Sequence, residues 1–293
     1  MTRILITGKS SYIGTSFERY MKDYPEYEID MISVRGDEWK DEDFSDYDVV
    51  FHVAGLAHAD VGTISKEEQQ KYYDINCDLS VEVAEKYKQD RGGKESQFIY
   101  MSSIIIYGDQ VSMTKKRVIT PLTKPKPSNF YGDSKLQAEL KLAPLESNIF
   151  QLAIIRPPMI YGPNSKGNYP QLRKLALKLP VFPDIPNERS MLFVDNLSMF
   201  IKQIIDKHES GIFFPQNMEY VRTSHMVKEI ARFHGKDIKL FSWMNWSVYL
   251  LGKIPGKIGD LSNKAFGNLV YEKSDKFVGV IEMKPSIERT EKC

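Results

Sequence analysis

Cysteine is scarce in this chain, with Cys77 and Cys293 the only two among 293 residues. Two thiols cannot form a disulfide framework, and neither stands in a spacing that ligates a metal. A dominant charge is missing too. Forty basic against thirty-nine acidic residues leave a formal +1, so net charge points to neither nucleic acid nor a membrane surface. Long apolar runs are also lacking, and none approaches the ~20 residues of a membrane span. Met1-Thr2-Arg3 leads into a short strand-like segment without a leader-type apolar region. These absences set an expectation of a reducing, cytoplasmic location, with no metal, no nucleic-acid partner and no membrane insertion.

What is present is an alternation. Strand-like runs at 3–7, 28–34, 49–54, 97–102 and 150–156 interleave with helix-like segments at 15–24, 67–89 and 131–142. Strands and helices in turn imply a parallel sheet with helices on both faces, and ligands at the carboxyl ends of the strands. The predicted class is α/β, a Rossmann-like doubly wound parallel sheet. After Arg156 the chain becomes rich in Pro, Asn and Gly, with helical stretches near 170–179, 196–207 and 224–234. A dinucleotide-binding domain is therefore expected over 1–156 and about 190–215. A smaller mixed C-terminal substrate-binding lobe is expected over 157–189 and 216–293. Its aromatic segment 241–261 could be a membrane-surface helix or a partner face. The favoured expectation is a lobe helix that buries its aromatics beside the substrate cleft.

The stretch "ILITGKSSYIG" (residues 4–14) reads as a strand, a phosphate-binding turn and a helix start. Gly8 would make the tight turn and Gly14 would let the helix pack on the sheet, with Lys9, Ser10, Ser11, Tyr12 and Ile13 between them. Ser11 stands where a central glycine would be expected, and its hydroxyl could donate to a phosphate oxygen. Two spaced glycines also occur in ordinary strand–turn–helix units, so support must come from elsewhere. At the end of the second strand stand Ser33, Val34 and Arg35, while Asp30 lies inside the strand pattern. Arg35 with Lys9 could neutralise a 2′-phosphate. NADP(H) is thus favoured as cofactor, with NAD(H) left open.

Support comes from "YMSSIIIYG" (100–108) and "FYGDSKLQAE" (130–139). Tyr131 and Lys135 are four apart and share a helix face. A lysine ammonium beside a phenol is expected to lower the tyrosine pKa toward the working range, making it an acid/base for an alcohol–carbonyl pair. Ser103, at the end of a predicted strand, could hold the same oxygen.

With these motifs the chain resembles the extended short-chain dehydrogenase/reductases, the nucleotide-sugar epimerase, dehydratase and reductase group. The resemblance rests on "TGKSSYIG", "HVAG" (52–55), Asn76 on a helix, "SSIIIYG", "YGDSK", "RPPMIYGP" (156–163), "RSMLFVDN" (189–196) and "KPSIERT" (284–290). It implies Tyr131 as catalytic acid/base, Lys135 on the nicotinamide ribose and Ser103 positioning the sugar oxygen. Ala54, Gly55 and Pro157 would line the cofactor, and Asn76 would either contact it or brace the helix. Arg189 would grip the sugar-nucleotide diphosphate, with Asn168 assisting. Dehydratases of this group carry an Asp-Glu pair after the residue matching Ser103, whereas here stand Ile104 and Ile105, which transfer no protons. Reduction or epimerisation at C4 remains. The short link between the second and third strands resembles the reductase branch and certain small 4-epimerase-like relatives. Within those, "ILITGKSSYIG", "VVFHVAGLAH" (49–58) and "KAFGNLVYE" (264–272) resemble reductases, so a UDP-4-keto-6-deoxy-N-acetylhexosamine reductase for surface-polysaccharide synthesis is favoured. The alternatives are a UDP-sugar 4-epimerase with retained NAD and a non-catalytic NADP(H)-binding sensor. A UDP-sugar or other nucleotide sugar is the implied partner, and a homodimer is implied by the resemblance alone.

Overall fold

A computed structural model describes residues 1–57, 64–109, 111–273 and 279–292, so Cys293 lies outside the described residues, as do the side chains at 257, 258, 260 and 261. The chain forms two compact units.

The first comprises Met1–Gly108, Pro125–Pro157 and Ser198–Phe214. Its strands are β1 (Thr2–Thr7), β2 (Tyr27–Ile32), β3 (Val49–His52), β4 (Ser96–Met101), β5 (Phe150–Ile155) and β6 (Gly211–Phe213). All pair in parallel, in the spatial order 2-1-3-4-5-6. The apolar character follows from position. Val49, Val50 and Phe51 of β3 are fully buried, as a strand covered on both faces requires, while edge strand β2 is half exposed. Between β2 and β3 only a 3₁₀ turn, Glu38–Asp41, intervenes, anchored by Trp39 at 3% exposure. The strand order therefore reverses at β1, whose two neighbours leave it in opposite directions. In a doubly wound sheet that is where a ligand crevice opens.

Helices α1 (Tyr12–Met21), α2 (Lys66–Tyr73), α3 (Leu79–Asp90) and α4 (Phe130–Leu142) complete the alternation. Two local expectations are corrected. Helix α1 starts at Tyr12 rather than 15, because Ser11 caps it. The segment expected as one helix over 67–89 is interrupted by a π-helical turn, Asp74–Asp78. The wider turn lets the Asn76 carbonyl accept from the Tyr100 hydroxyl and the Ser80 hydroxyl, each at 2.9 Å. Such turns recur at functional sites.

The second unit comprises Asp109–Lys124, Pro158–Leu197 and Pro215–Cys293. Residues 109–124 thus cluster here, although the sequence had placed them in the first unit. Three parallel strand pairs supply its framework: Met159–Tyr161 with Met191–Phe193, Val181–Pro183 with Lys239–Phe241, and Arg117–Ile119 with Leu269–Tyr271. Helices Asn168–Lys178, Thr223–Phe233 and Met283–Glu291 converge near the Glu291 carboxylate. It accepts from Tyr169 at 2.8 Å and Arg173 at 2.6 Å, with His234 Nε2 at 2.7 Å. The expectation for the aromatic segment is overturned. In the turn Ser242–Met244 and the helix Asn245–Leu251, Val248 is buried, but Trp243 and Trp246 are 69% and 64% exposed. Spacing explains the split, since positions 243, 246 and 250 share a face that 248 opposes.

Candidate active site

The β1–α1 turn is shaped by two glycines. Gly8 has φ 111°, and a Cβ there would lie 2.8 Å from the Ala54 nitrogen, so the turn passes directly over the chain leaving β3. Its own N–H and that of Lys9 donate to the Ile32 carbonyl at 2.9 and 3.0 Å, stitching the turn to the end of β2. Ser11 is the N-cap of α1: its Oγ accepts from the Gly14 N–H at 2.9 Å. A Cβ on Gly14 would sit 2.8 Å from that Oγ and 3.0 Å from Ile6 Cγ2, so the cap and the helix-to-sheet contact both require glycine. Ser11 accepts through one lone pair and keeps its O–H to donate. Lys9 and Ser10 are exposed, and Tyr12 and Ile13 are half-buried in the first helical turn. Helix N-terminal N–H groups and the positive end of the dipole make this an anion cradle.

Beside it, β2 ends at Ile32 and the chain continues through exposed Ser33 and Arg35. Asp30, inside the strand, accepts from the Tyr47 hydroxyl at 2.9 Å and lies 3.5 Å from the Arg3 guanidinium. No acid stands among residues 33–35. Among the described residues neither Lys9 nor Arg35 is in an ion pair.

The third group is built on α4. Asn129 caps it, its Oδ1 accepting from Gly132 N–H at 2.9 Å. A Cβ at Gly132 would meet the Ile105 carbonyl at 2.8 Å, so α4 packs backbone to backbone on the turn after β4. This brings the Ser103 hydroxyl close enough to the Tyr131 phenol to act on its pKa, and Ser103 Oγ also accepts from Ile105 N–H at 3.3 Å. Pro157, at the end of β5, is tied to the same turn, its carbonyl accepting from Ile104 N–H at 2.9 Å. Lys135 is 6% exposed; its Nζ donates to the Met101 carbonyl at 2.9 Å and lies 4.8 Å from the Tyr100 ring centre. A Cβ on Gly55 would be 3.2 Å from that Nζ and 3.0 Å from Asn76 Oδ1, so glycine lets the β3 loop meet both.

The electrostatics correct one expectation. Burial pushes the Tyr131 phenol up from its ordinary value; the Ser103 hydrogen bond opposes this and Tyr72 adds to it. Lys135 is not among the groups that shift the phenol, and its ammonium donates to the Met101 carbonyl. Burial lowers Lys135 itself to about 8, with nearby Glu139 opposing. His52, fully buried, is pushed down to about 3 by burial and by Lys135. It is a neutral strut, its ring nitrogens 2.7 Å from Thr7 Oγ1 and 3.0 Å from Ser80 Oγ. Asn76 fits the bracing alternative. Its Oδ1 accepts from Leu56 N–H at 2.7 Å, and its Nδ2 donates to the Leu56 carbonyl and Ser134 Oγ, both at 3.1 Å.

Sequence reasoning missed the pair beneath this group. Glu139 and Arg156, 4% and 6% exposed, form a two-pronged ion pair with Nε–Oε1 at 3.1 Å and Nη2–Oε2 at 2.5 Å. Arg156 also donates to the Tyr107 hydroxyl at 2.6 Å, and the Ser102 hydroxyl donates to Glu139. The signal was available: Glu139 follows Lys135 by four, on the same face as Tyr131.

In the second unit, the Arg189 guanidinium donates to the Lys264 carbonyl, and burial lowers it to about 10. Among the described residues no carboxylate lies within ion-pair distance of it. Its neighbour Glu188 lines a hollow of about 400 Å³ with Met113, Thr114, Lys116, Pro186, Tyr249 and Asn268. None of Ser103, Tyr131 or Lys135 lines that hollow. Asn168 is exposed at the first position of its helix and does not line it either.

A parallel sheet with a glycine turn at its switch point and a Ser–Tyr–Lys group at neighbouring strand ends defines a Rossmann-fold protein of the extended short-chain dehydrogenase/reductase class. The chain belongs to the NAD dependent epimerase/dehydratase family, whose profile matches residues 4–213. It is similar to UDP-glucose 4-epimerase of Vibrio cholerae, 29% identical over 91% of this chain and 86% of that one. It is also similar to the N-acetyl-α-D-glucosaminyl-diphospho-ditrans,octacis-undecaprenol 4-epimerase of Escherichia coli O157:H7, 27% identical over 90% and 81%. Its fold is shared with dTDP-4-dehydrorhamnose reductase from Bacillus anthracis, solved in complex with NADP, at a TM-score of 0.70, 16% identity and 99% of both chains.

Proposed function

We propose that the protein is an NADP(H)-dependent oxidoreductase acting at sugar C4, reducing a UDP-4-keto-6-deoxy-N-acetylhexosamine. The end of β2 carries this choice: Lys9 and Arg35 stand exposed and outside any ion pair among the described residues, while Asp30 is engaged by Tyr47 and Arg3. An NAD site places an acid there for the ribose hydroxyls, and two cations suit a 2′-phosphate instead. The Gly8 turn, the Ser11 hydroxyl and the first turn of α1 would hold the pyrophosphate, and Lys135 the nicotinamide ribose. When bound, the reduced nicotinamide supplies hydride to C4. Tyr131 delivers the proton to the C4 oxygen. A protonated phenol, its pKa raised by burial, can give that proton as ketone becomes alcohol. Ser103 holds the same oxygen. Ile104 and Ile105 offer no acid or base for elimination across C5 and C6. Arg189, with no carboxylate within ion-pair distance among the described residues, would take the substrate diphosphate.

A second reading, 4-epimerisation with retained NAD, is favoured by the two curated relatives, both of them 4-epimerases. Its substrate would be a UDP-hexose or a sugar diphosphate on a polyprenol.

Absorbance at the nicotinamide band decides between them. With NADPH and UDP-4-keto-6-deoxy-N-acetylglucosamine, stoichiometric oxidation is expected, faster than with NADH. Tyr131→Phe should reduce turnover by ~10²–10⁴-fold while NADPH still binds. Arg35→Ala should cut the NADPH preference by about tenfold or more, the worth of a charge-assisted hydrogen bond. Interconversion of C4 epimers without added reductant would assign the second reading. Cofactor binding with neither reaction would leave the non-catalytic sensor.

A further inference from the structure

We propose that a face of the second unit, formed by Trp243, Trp246, Leu250 and Ile254 with Lys239 and Lys253, docks the protein on an anionic lipid bilayer. Trp243, Trp246 and Leu250 fall at i, i+3 and i+7 and stand 69%, 64% and 56% exposed, and Ile254, just past the helix, is 42% exposed. The remaining tryptophan, Trp39, is 3% exposed. Two tryptophans and a leucine facing water on one stripe are unusual for a solvent surface and mark an interaction site. Tryptophan is the side chain enriched at the membrane–water boundary, where its ring sits at headgroup level.

Charge selects the occupant. The chain as a whole is balanced, yet residues 236–264 hold five lysines (236, 239, 253, 257 and 264) against two acids, Asp237 and Asp260, with Lys264 paired to Asp109 at 3.9 Å. Lys239 and Lys253 are exposed, and neither is in an ion pair among the described residues. In a two-fold contact between copies, the same patch would meet itself and bring these cations together. Anionic headgroups attract them instead, and an apolar stripe with lysines four residues before Trp243 and three after Leu250 in the chain fits a helix lying in the interface. Among the described residues no helix is long and apolar enough to cross a membrane, so docking is peripheral. The docking is independent of which C4 reaction the protein performs, although a sugar diphosphate carried on a lipid would be met at such a surface.

The test is sedimentation with sucrose-loaded vesicles of phosphatidylcholine and phosphatidylglycerol at 70:30 (roughly one anionic lipid in three, enough to set a negative surface potential), read with tryptophan emission. The full chain should pellet with these vesicles and shift its emission to the blue. Binding should weaken by about tenfold or more on pure phosphatidylcholine or in high salt. Trp243→Ser/Trp246→Ser should lose binding with an unchanged urea midpoint, since both side chains are exposed. Lys239→Glu/Lys253→Glu, which leaves the tryptophans in place, should lose it as well. A wild-type chain that stays in the supernatant with anionic vesicles overturns the proposal. So does a concentration-dependent dimer that the tryptophan variant dissociates, which would make this face a contact between copies. Turnover of a water-soluble nucleotide sugar is measured without vesicles, so failure of either proposal leaves the other standing.

Discussion

Replacing Lys135 by methionine separates what this side chain does for chemistry from what it does to stability. Its pKa is lowered from the ordinary 10.5 to about 8 by burial, a gap of about 2.5. At ~1.4 kcal/mol per unit the folded protein carries a penalty of roughly 3 kcal/mol for holding this ammonium at pH 7. The sign follows from proton counts. Below about pH 8 both folded and unfolded chains hold the proton, and the penalty is complete. Between about 8 and 10.5 the unfolded chain binds more protons than the folded one, so the stability contribution rises with pH. Methionine fills nearly the same volume with no charge. It also strands the Met101 carbonyl, at a cost of ~1–3 kcal/mol that does not vary with pH. The difference in unfolding free energy, variant minus wild type, should therefore fall by most of ~3 kcal/mol between pH 7 and pH 10. Urea unfolding at the two pH values, followed through Trp39 in the core of the first unit, measures it. An equal difference at both values would show that Lys135 is not held in a desolvated site. The variant should be inactive throughout, and wild-type turnover should decline above about pH 8 as the ammonium is lost.

Two further substitutions probe neighbouring parts of the site. Ser11→Ala removes the cap on Gly14 and should lower stability by ~1 kcal/mol, whereas Ser11→Gly should cost only a few tenths and leave NADPH affinity intact. Thermal melting and a fluorescence titration read these two outcomes. Glu139→Gln leaves Arg156 buried without its carboxylate and should destabilise the fold by ~3–5 kcal/mol in urea. Because Glu139 also supports the Lys135 ammonium, the alkaline limb of the rate profile should move to lower pH in that variant. An unmoved limb would show that the pair is structural only.

The sheet was legible because its strands are short apolar runs bounded by turns, and because helix-period segments stand between them. The link of residues 36–48 reads as too short for an added strand and helix, and it holds a 3₁₀ turn. The π turn was not legible. Residues 66–90 are helix-compatible throughout, and one partner of the widened turn is remote: the Tyr100 hydroxyl, delivered by β4, bonds the Asn76 carbonyl. Burial of the second-unit aromatics was misjudged for a related reason. Periodicity places Trp243 and Trp246 on one face, but the same spacing serves a buried face and an exposed one. Only the neighbours decide, and Val248 is the side chain that received them.

The candidate site divides along the same line. Tyr131 and Lys135 were readable because their spacing alone puts them on one face, and Ser103 because strand ends carry ligands. The burial of the phenol was not readable, and it pushes the Tyr131 pKa up where the lysine was expected to bring it down. The ammonium donates to the Met101 carbonyl, and burial raises the phenol from its ordinary value. The serine in the glycine turn shows the converse. It looked like a defect in a phosphate motif, yet its Oγ takes up the Gly14 N–H that a glycine at position 11 would leave to solvent or ligand. One orphan donor of the helix is thereby satisfied, and the serine O–H is put in its place. The cradle keeps its count of donors while gaining a fixed helix start, so Ser11 by itself gives no ground for the non-catalytic NADP(H)-binding sensor.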